Sequence, residues 1–135
     1  MSYEKPLPQV NSDTEPFWKG CKEHELRFQK CTDCGFVRWP PSAFCPHCYS
    51  NETEWITANG KGNVFTFAVY RQAFHPAFRN DVPYVAAIVE LEEGPLLLTN
   101  IVGCEPGEVV CGMDVEVTWE KVTEQFTLPK FRKML

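Results

Sequence analysis

Two short cysteine hooks constrain this chain more than any other feature: Cys31-Thr-Asp-Cys34 and Cys45-Pro-His-Cys48, with ten residues between them. Each hook can wrap a metal with neighbouring sulfurs, and two at this distance have the spacing of a zinc ribbon. Gly35 gives the first hook a backbone able to turn back on itself. Zinc takes four tetrahedral ligands, so Cys31, Cys34, Cys45 and Cys48 would fill its shell. A filled shell has no position for water or substrate, and one structural Zn²⁺ is the expectation. Two disulfides are the competing use of four cysteines. The first residues, Met1-Ser-Tyr-Glu-Lys-Pro, lack the apolar core of a secretory signal. Seven cysteines without such a signal point to a reducing, cytoplasmic setting, where thiolates bind metal.

At 135 residues the chain fits one compact domain or a small domain with a metal-stapled appendage. Net charge is −5, and the part after residue 62 has six basic against ten acidic side chains. That balance counts against nucleic acid as the main partner. No apolar run approaches the roughly 20 residues of a membrane helix.

Residues 1–11, with Pro6 and Pro8, read as an extended arm. Ser12 or Asp13 is placed to cap a short helix, with Glu15 and Pro16 in its first turn. Phe17, Trp18, Cys21 and Leu26 then recur at roughly helical spacing, and His24 falls within the helix. This aromatic face packs either on the chain's own core or on a partner. Glu25–Lys30 and Phe36–Trp39 read as strands flanking the first hook, and Glu54–Ala58 as a third. Gly60 and Gly62 mark the expected boundary, as a linker. The expected units are therefore an arm and helix (1–27), a ribbon (28–60) and a β domain (61–135).

Beyond residue 62 the pattern is all-β. Strands are expected at Asn63–Arg71, Tyr84–Leu91, Leu96–Val102 and Asp114–Lys121, with a last piece at Leu128–Lys133. Glu92-Glu-Gly-Pro95 joins two of them as a hairpin. Five strands with one long crossing connection point to a small Greek-key barrel of the OB type. Periodicity alone fits a small sandwich as well. The fold class is thus mostly β with one short N-terminal helix: a zinc ribbon followed by a five-stranded barrel.

One connection is longer than a hairpin requires: Gln72 to Pro83, twelve residues where two to five suffice. It carries Phe74, His75, Phe78 and Arg79, and Arg71 precedes it. Aromatics beside guanidinium groups can stack a planar group and pair with phosphate. The competing reading has these phenylalanines simply cover an open barrel end. The run Leu128–Lys133 sets three cations, Lys130, Arg132 and Lys133, around Phe131, and either closes an anion-binding face with Arg71 and Arg79 or is a solvated tail. His75 with Cys104 or Cys111 would make a thiolate–imidazolium pair only if the fold joined them. His47 is surplus to a four-sulfur site. No catalytic residue is assigned.

Taken together, Phe17-Trp18, the two hooks with Gly35, Trp39-Pro-Pro41, Trp55, Gly60-Lys-Gly62, Pro83-Tyr84, Gly94, Gly112-Met113 and Leu128-Pro129 resemble one family over about residues 12 to 133. It is the zinc-ribbon/OB-fold family long catalogued as domain of unknown function thirty-five. The resemblance implies a rubredoxin-like ribbon and a C-terminal OB barrel that binds acyl-CoA. It also implies a non-catalytic accessory subunit in a hetero-oligomer with a thiolase-like acyltransferase, or with a related aldolase or hydratase. On that reading Arg71, Phe74, His75, Phe78, Arg79, Lys130, Phe131 and Arg132 hold CoA, while Phe17, Trp18 and Trp39 dock the partner. The competing functions are a single-stranded nucleic-acid-binding ribbon and barrel, and an isolated zinc-dependent enzyme.

Overall fold

A computed structural model describes residues 8–73 and 75–134. Helix α1 (Glu15–Lys22) starts beyond both expected caps, Ser12 and Asp13: its N-cap is Thr14. The reason is local. The Asn11 side chain accepts from the backbone N–H groups of Asp13 and Thr14 at 2.9 and 3.0 Å, using Ser12 and Asp13 in a turn before the helix. Pro16 sits in the first turn as expected, where a missing N–H costs nothing. The helix stops before His24, contrary to the sequence expectation. His24 adopts φ 61°, its N–H reaches the Cys21 carbonyl, and the Glu25 N–H reaches back to Gly20 at 2.7 Å. This is a left-handed C-terminal cap with a histidine in the place usually taken by glycine.

Three strands follow: β1 (Leu26–Cys31), β2 (Val37–Arg38) and β3 (Thr53–Ala58), in the order β2-β1-β3 and all antiparallel. Leu26 and Phe28 of β1 face the helix and are buried with Phe17 and Cys21. Phe17 lies 4.2 Å (ring centroids) from Trp39 and 6.1 Å from Phe28, which meets Trp39 edge-on. One aromatic cluster therefore glues helix to sheet.

The remaining strands are β4 (Lys61–Tyr70), β5 (Tyr84–Leu91), β6 (Leu96–Val102), β7 (Asp114–Lys121) and β8 (Thr127–Lys133). They close a barrel in the order β4-β5-β6-β8-β7, with β6 and β8 parallel and β4 returning to pair with β7. This is the five-stranded Greek-key closure of an OB-fold, and it excludes the sandwich. A bulge between Val64 and Thr66 lets β4 serve both neighbours and turns Phe65 outward. Val64, Val85, Val89, Leu97, Val115 and Phe131 fill the interior.

Gly60 and Gly62 form a packed joint here, where the sequence reading had a linker. A Cβ on Gly60 would stand 2.5 Å from a Val117 methyl, and one on Gly62 2.3 Å from the Glu90 carbonyl oxygen. The Val117 N–H also donates to the Gly60 carbonyl at 2.7 Å. The joint is tightened by Trp18, edge-on to Phe126 at 6.1 Å, and by His24, stacked on Trp119 at 5.4 Å. Sheet, helix and barrel consequently share one continuous apolar cluster. Truncating its largest helical anchor, Phe17→Ala, is expected to cost about 3–5 kcal/mol, read as a lower midpoint in denaturant unfolding of the metal-loaded chain.

Candidate metal centre and barrel groove

The two hooks repeat one backbone design. In the first, the Gly35 N–H bonds the Cys31 carbonyl at 2.8 Å and the Cys31 N–H bonds the Phe36 carbonyl at 2.9 Å. In the second, Tyr49 bonds Cys45 and Cys45 bonds Ser50, both at 2.8 Å. Gly35 and Tyr49 occupy equivalent positions, both at positive φ. Each turn aims its pair of sulfurs at the other. Cys31 and Cys48 lie 3.6 Å apart, as do Cys34 and Cys45, and all four sulfurs are within 4.8 Å of one another.

This geometry fits zinc. Zn–S bonds of about 2.3 Å in a tetrahedron put sulfurs about 3.8 Å apart. The separations are far longer than the roughly 2.05 Å of a disulfide, and all seven cysteines are unbridged. Four sulfurs this close cannot all carry charge without a cation. The backbone N–H of Cys34 leads in drawing Cys31 down to about 6. Cys48 receives a lowering hydrogen bond from Ser50, yet desolvation and its three sulfur neighbours push it up to about 12. A bound ion would be held by Cys31, Cys34, Cys45 and Cys48 and would supply cross-linking alone, since no ligand position is left over. His47 stacks on Phe36, ring centroids 4.0 Å apart, outside the sulfur set.

On the barrel, a groove of about 450 Å³ opens between the loop 71–83 and the outer faces of β5, β6 and β8. Phe78, Tyr84, Asn100, Cys104, Leu128 and Lys130 are among its walls. A 3₁₀ turn, Pro76–Phe78, places the Phe78 ring 5.7 Å from Tyr84, itself 5.1 Å from its cross-strand mate Tyr70. The Lys130 ammonium donates to the Asn100 side-chain oxygen at 2.6 Å and stands 3.9 Å from Glu120.

The residues read from sequence as CoA contacts divide accordingly. Phe78 and Lys130 line the groove; Arg71, His75 and Arg79 are exposed on the loop beside it. Phe74 lies outside the described residues. Arg132 pairs with Glu116 at 3.1 Å in a neighbouring groove. Phe131 is a correction: strand alternation turns it inward between Lys130 and Arg132, and it is 0% exposed in the barrel core. His75 joins neither Cys104 nor Cys111. Its Nδ1 accepts from the Ala77 N–H at 3.0 Å and its ring meets Phe78 edge-on.

The docking reading needs correction at Phe17, which is 1% exposed and belongs to the chain's own core. Trp18 and Trp39 pack against it and keep part of their surface exposed. Sequence reasoning missed Tyr84, Asn100 and Leu128 as groove walls because only the barrel's closing register brings them beside Phe78. It also missed Arg38, which is buried.

The ChsH2 rubredoxin-like zinc ribbon domain matches residues 18–54, and the ChsH2 C-terminal OB-fold domain matches residues 55–120. A probable enoyl-CoA hydratase alpha subunit of Thermomonospora curvata is 39% identical over 128 residues, covering 95% of this chain and 40% of that protein. The chain thus spans less than half the length of that relative. A DUF35 domain-containing scaffold protein of Methanocaldococcus jannaschii is 39% identical over 109 residues, 79% of this chain and 77% of that one. Among solved structures, a chain of the Ltp2-ChsH2(DUF35) aldolase superposes with a TM-score of 0.87 at 38% identity, covering 96% of this chain and 100% of that chain.

The four-sulfur geometry leads to a direct test. Native mass spectrometry should find one zinc per chain, and Cys34→Ser should lose it. Because zinc binding displaces protons from the raised thiols, zinc affinity should fall as pH falls, measurable by competition with a chromogenic chelator.

Proposed function

Because the chain belongs to the ChsH2 zinc-ribbon and OB-fold family, the DUF35 family, we propose that it is a non-catalytic accessory subunit that binds acyl-CoA and docks on a thiolase-like acyltransferase. Family relatives named as an enoyl-CoA hydratase subunit, a scaffold protein and part of an aldolase support a subunit role around CoA thioesters. The metal in this reading is one structural zinc, and the setting is cytoplasmic. The observation that carries the ligand assignment is the groove beside the long loop. Its wall pairs apolar surface (Phe78, Tyr84, Leu128) with amide and ammonium groups (Asn100, Lys130). An acyl-pantetheine arm has that same combination of thioester chain and amides.

The phosphates are assigned to the loop cations. Lys130 is already engaged by Asn100 and Glu120, and Arg132 by Glu116. Arg71 and Arg79 are exposed on the loop next to the groove mouth. A charged hydrogen bond of this kind contributes about 1.5–3 kcal/mol. Replacing Arg79 by Ala should therefore weaken acyl-CoA binding about tenfold or more in calorimetry. An unchanged dissociation constant removes Arg79 from the site.

A second reading pairs the chain with a hydratase, favoured by the 39% identical relative of that name. Co-expression separates the two. The true partner enzyme should be poorly soluble or weakly active without this chain and restored by it; a partner fully active alone contradicts the accessory role.

A further inference from the structure

The sheet face that presents Cys31 also presents a buried cation. In the ladder β2-β1-β3, Gln29 stands opposite Arg38 and Cys31 stands opposite Thr53. Directly paired residues share a face, and so do residues two apart on one strand. Arg38, Gln29, Cys31 and Thr53 are therefore on the same side of the sheet. Arg38 reaches diagonally across β1, where its Nη2 donates to the Thr53 hydroxyl at 2.8 Å and to the Ser42 carbonyl at 2.9 Å. Gln29 grips the same residue from the other side, accepting from the Ser42 N–H at 2.8 Å. Ser42 lies three residues before Cys45, so this network ties the start of the second hook to the strand that carries the first.

Arg38 is 3% exposed, and its Nε and Nη1 are buried with no hydrogen-bond partner among the described residues. Its hydrogen-bond partners among the described residues are a carbonyl and a hydroxyl, neither of them charged. A guanidinium stays protonated throughout the physiological range. A buried, uncompensated charge is strongly destabilising, so its retention calls for an anion nearby. Four thiolates around a divalent ion leave two net negative charges, and the sulfur of Cys31 projects from this same face. Arg27, Lys121, Lys130 and Arg132, by contrast, pair with surface carboxylates.

We infer that Arg38 is the buried counter-charge of the metal–thiolate centre, and that with Gln29, Ser42 and Thr53 it positions the second hook. Arg38 is a positioning residue here, not a ligand. The inference rests on the ribbon holding a divalent metal and is independent of the acyl-CoA reading.

The test uses the full chain and measures zinc affinity by chelator competition, with cobalt substitution to report the ligand set. Arg38→Gln keeps an amide donor and removes the charge; Arg38→Lys keeps the charge. Arg38→Gln should weaken zinc binding roughly 10–100-fold, the usual effect of losing an outer-layer partner, and Arg38→Lys should weaken it less. The cobalt spectrum should remain that of four thiolates. The metal-free Arg38→Gln protein should melt no lower than metal-free wild type, because an uncompensated cation has been removed, while the loaded form melts lower. Wild-type zinc affinity in Arg38→Gln, or an equal fall in both melts, overturns the proposal. If Arg38→Gln does not fold, Thr53→Val decides: severalfold weaker zinc binding supports the network, and unchanged binding overturns it.

Discussion

Four sulfurs drawn to within 4.8 Å of one another can all be thiolates only around a cation. Around them stands very little else. The sheet that carries the hooks has three strands, one only two residues long, and packs its apolar face on a single helix. Two of the four sulfurs are exposed and two are buried, so the site is half-sunk in the surface. A metal there supplies the cross-links that a small core cannot, and it does so in a closed shell that leaves nothing for catalysis. The four-sulfur site would therefore hold structure and leave no position for a substrate.

The ribbon in turn is not a free appendage. Phe17, Phe28 and Trp39 bind it to the helix, while Trp18 and His24 carry helix and cap against Phe126 and Trp119 of the barrel. The joint at Gly60 and Gly62 has no room for a side chain. Ribbon, helix and barrel are joined through these packed rings. The barrel groove, by contrast, is walled by β5, β6, β8 and the loop 71–83, on strands that this joint holds only at one end.

Much of this was legible in the chain. The hooks are defined by spacing, and strands β5, β6 and β7 begin and end where alternation does. What escaped has identifiable physics. Thr14 replaced Ser12 or Asp13 as the cap because the side chain of Asn11, outside any helical pattern, takes the N–H groups of Asp13 and Thr14 in a turn before the helix. His24 left the helix because a left-handed cap can be built without glycine. Phe17 read as a docking residue only while its packing against Trp18 and Trp39 was invisible. Arg38 gave no signal at all, since a cation between Val37 and Trp39 looks like any surface residue until three strands close over it. The groove was half-legible: the loop announced itself by length, whereas its opposite wall exists only through the parallel pairing of β6 with β8.

The basic run at the end of the chain shows why residue type without register misleads. Lys130 and Arg132 both point outward from β8, two residues apart, while Phe131 between them goes to the core. Their neighbour β7 carries Glu116 directly opposite Arg132, and Glu120 one step diagonally from Lys130. Each cation meets a carboxylate, at 3.1 and 3.9 Å. Such exposed pairs add little stability, about 0–1 kcal/mol, but they cancel the local field that would draw an anion. Lys130 and Arg132 are thus neutralised by β7, whereas Arg71 and Arg79 stand exposed where the chain leaves the sheet.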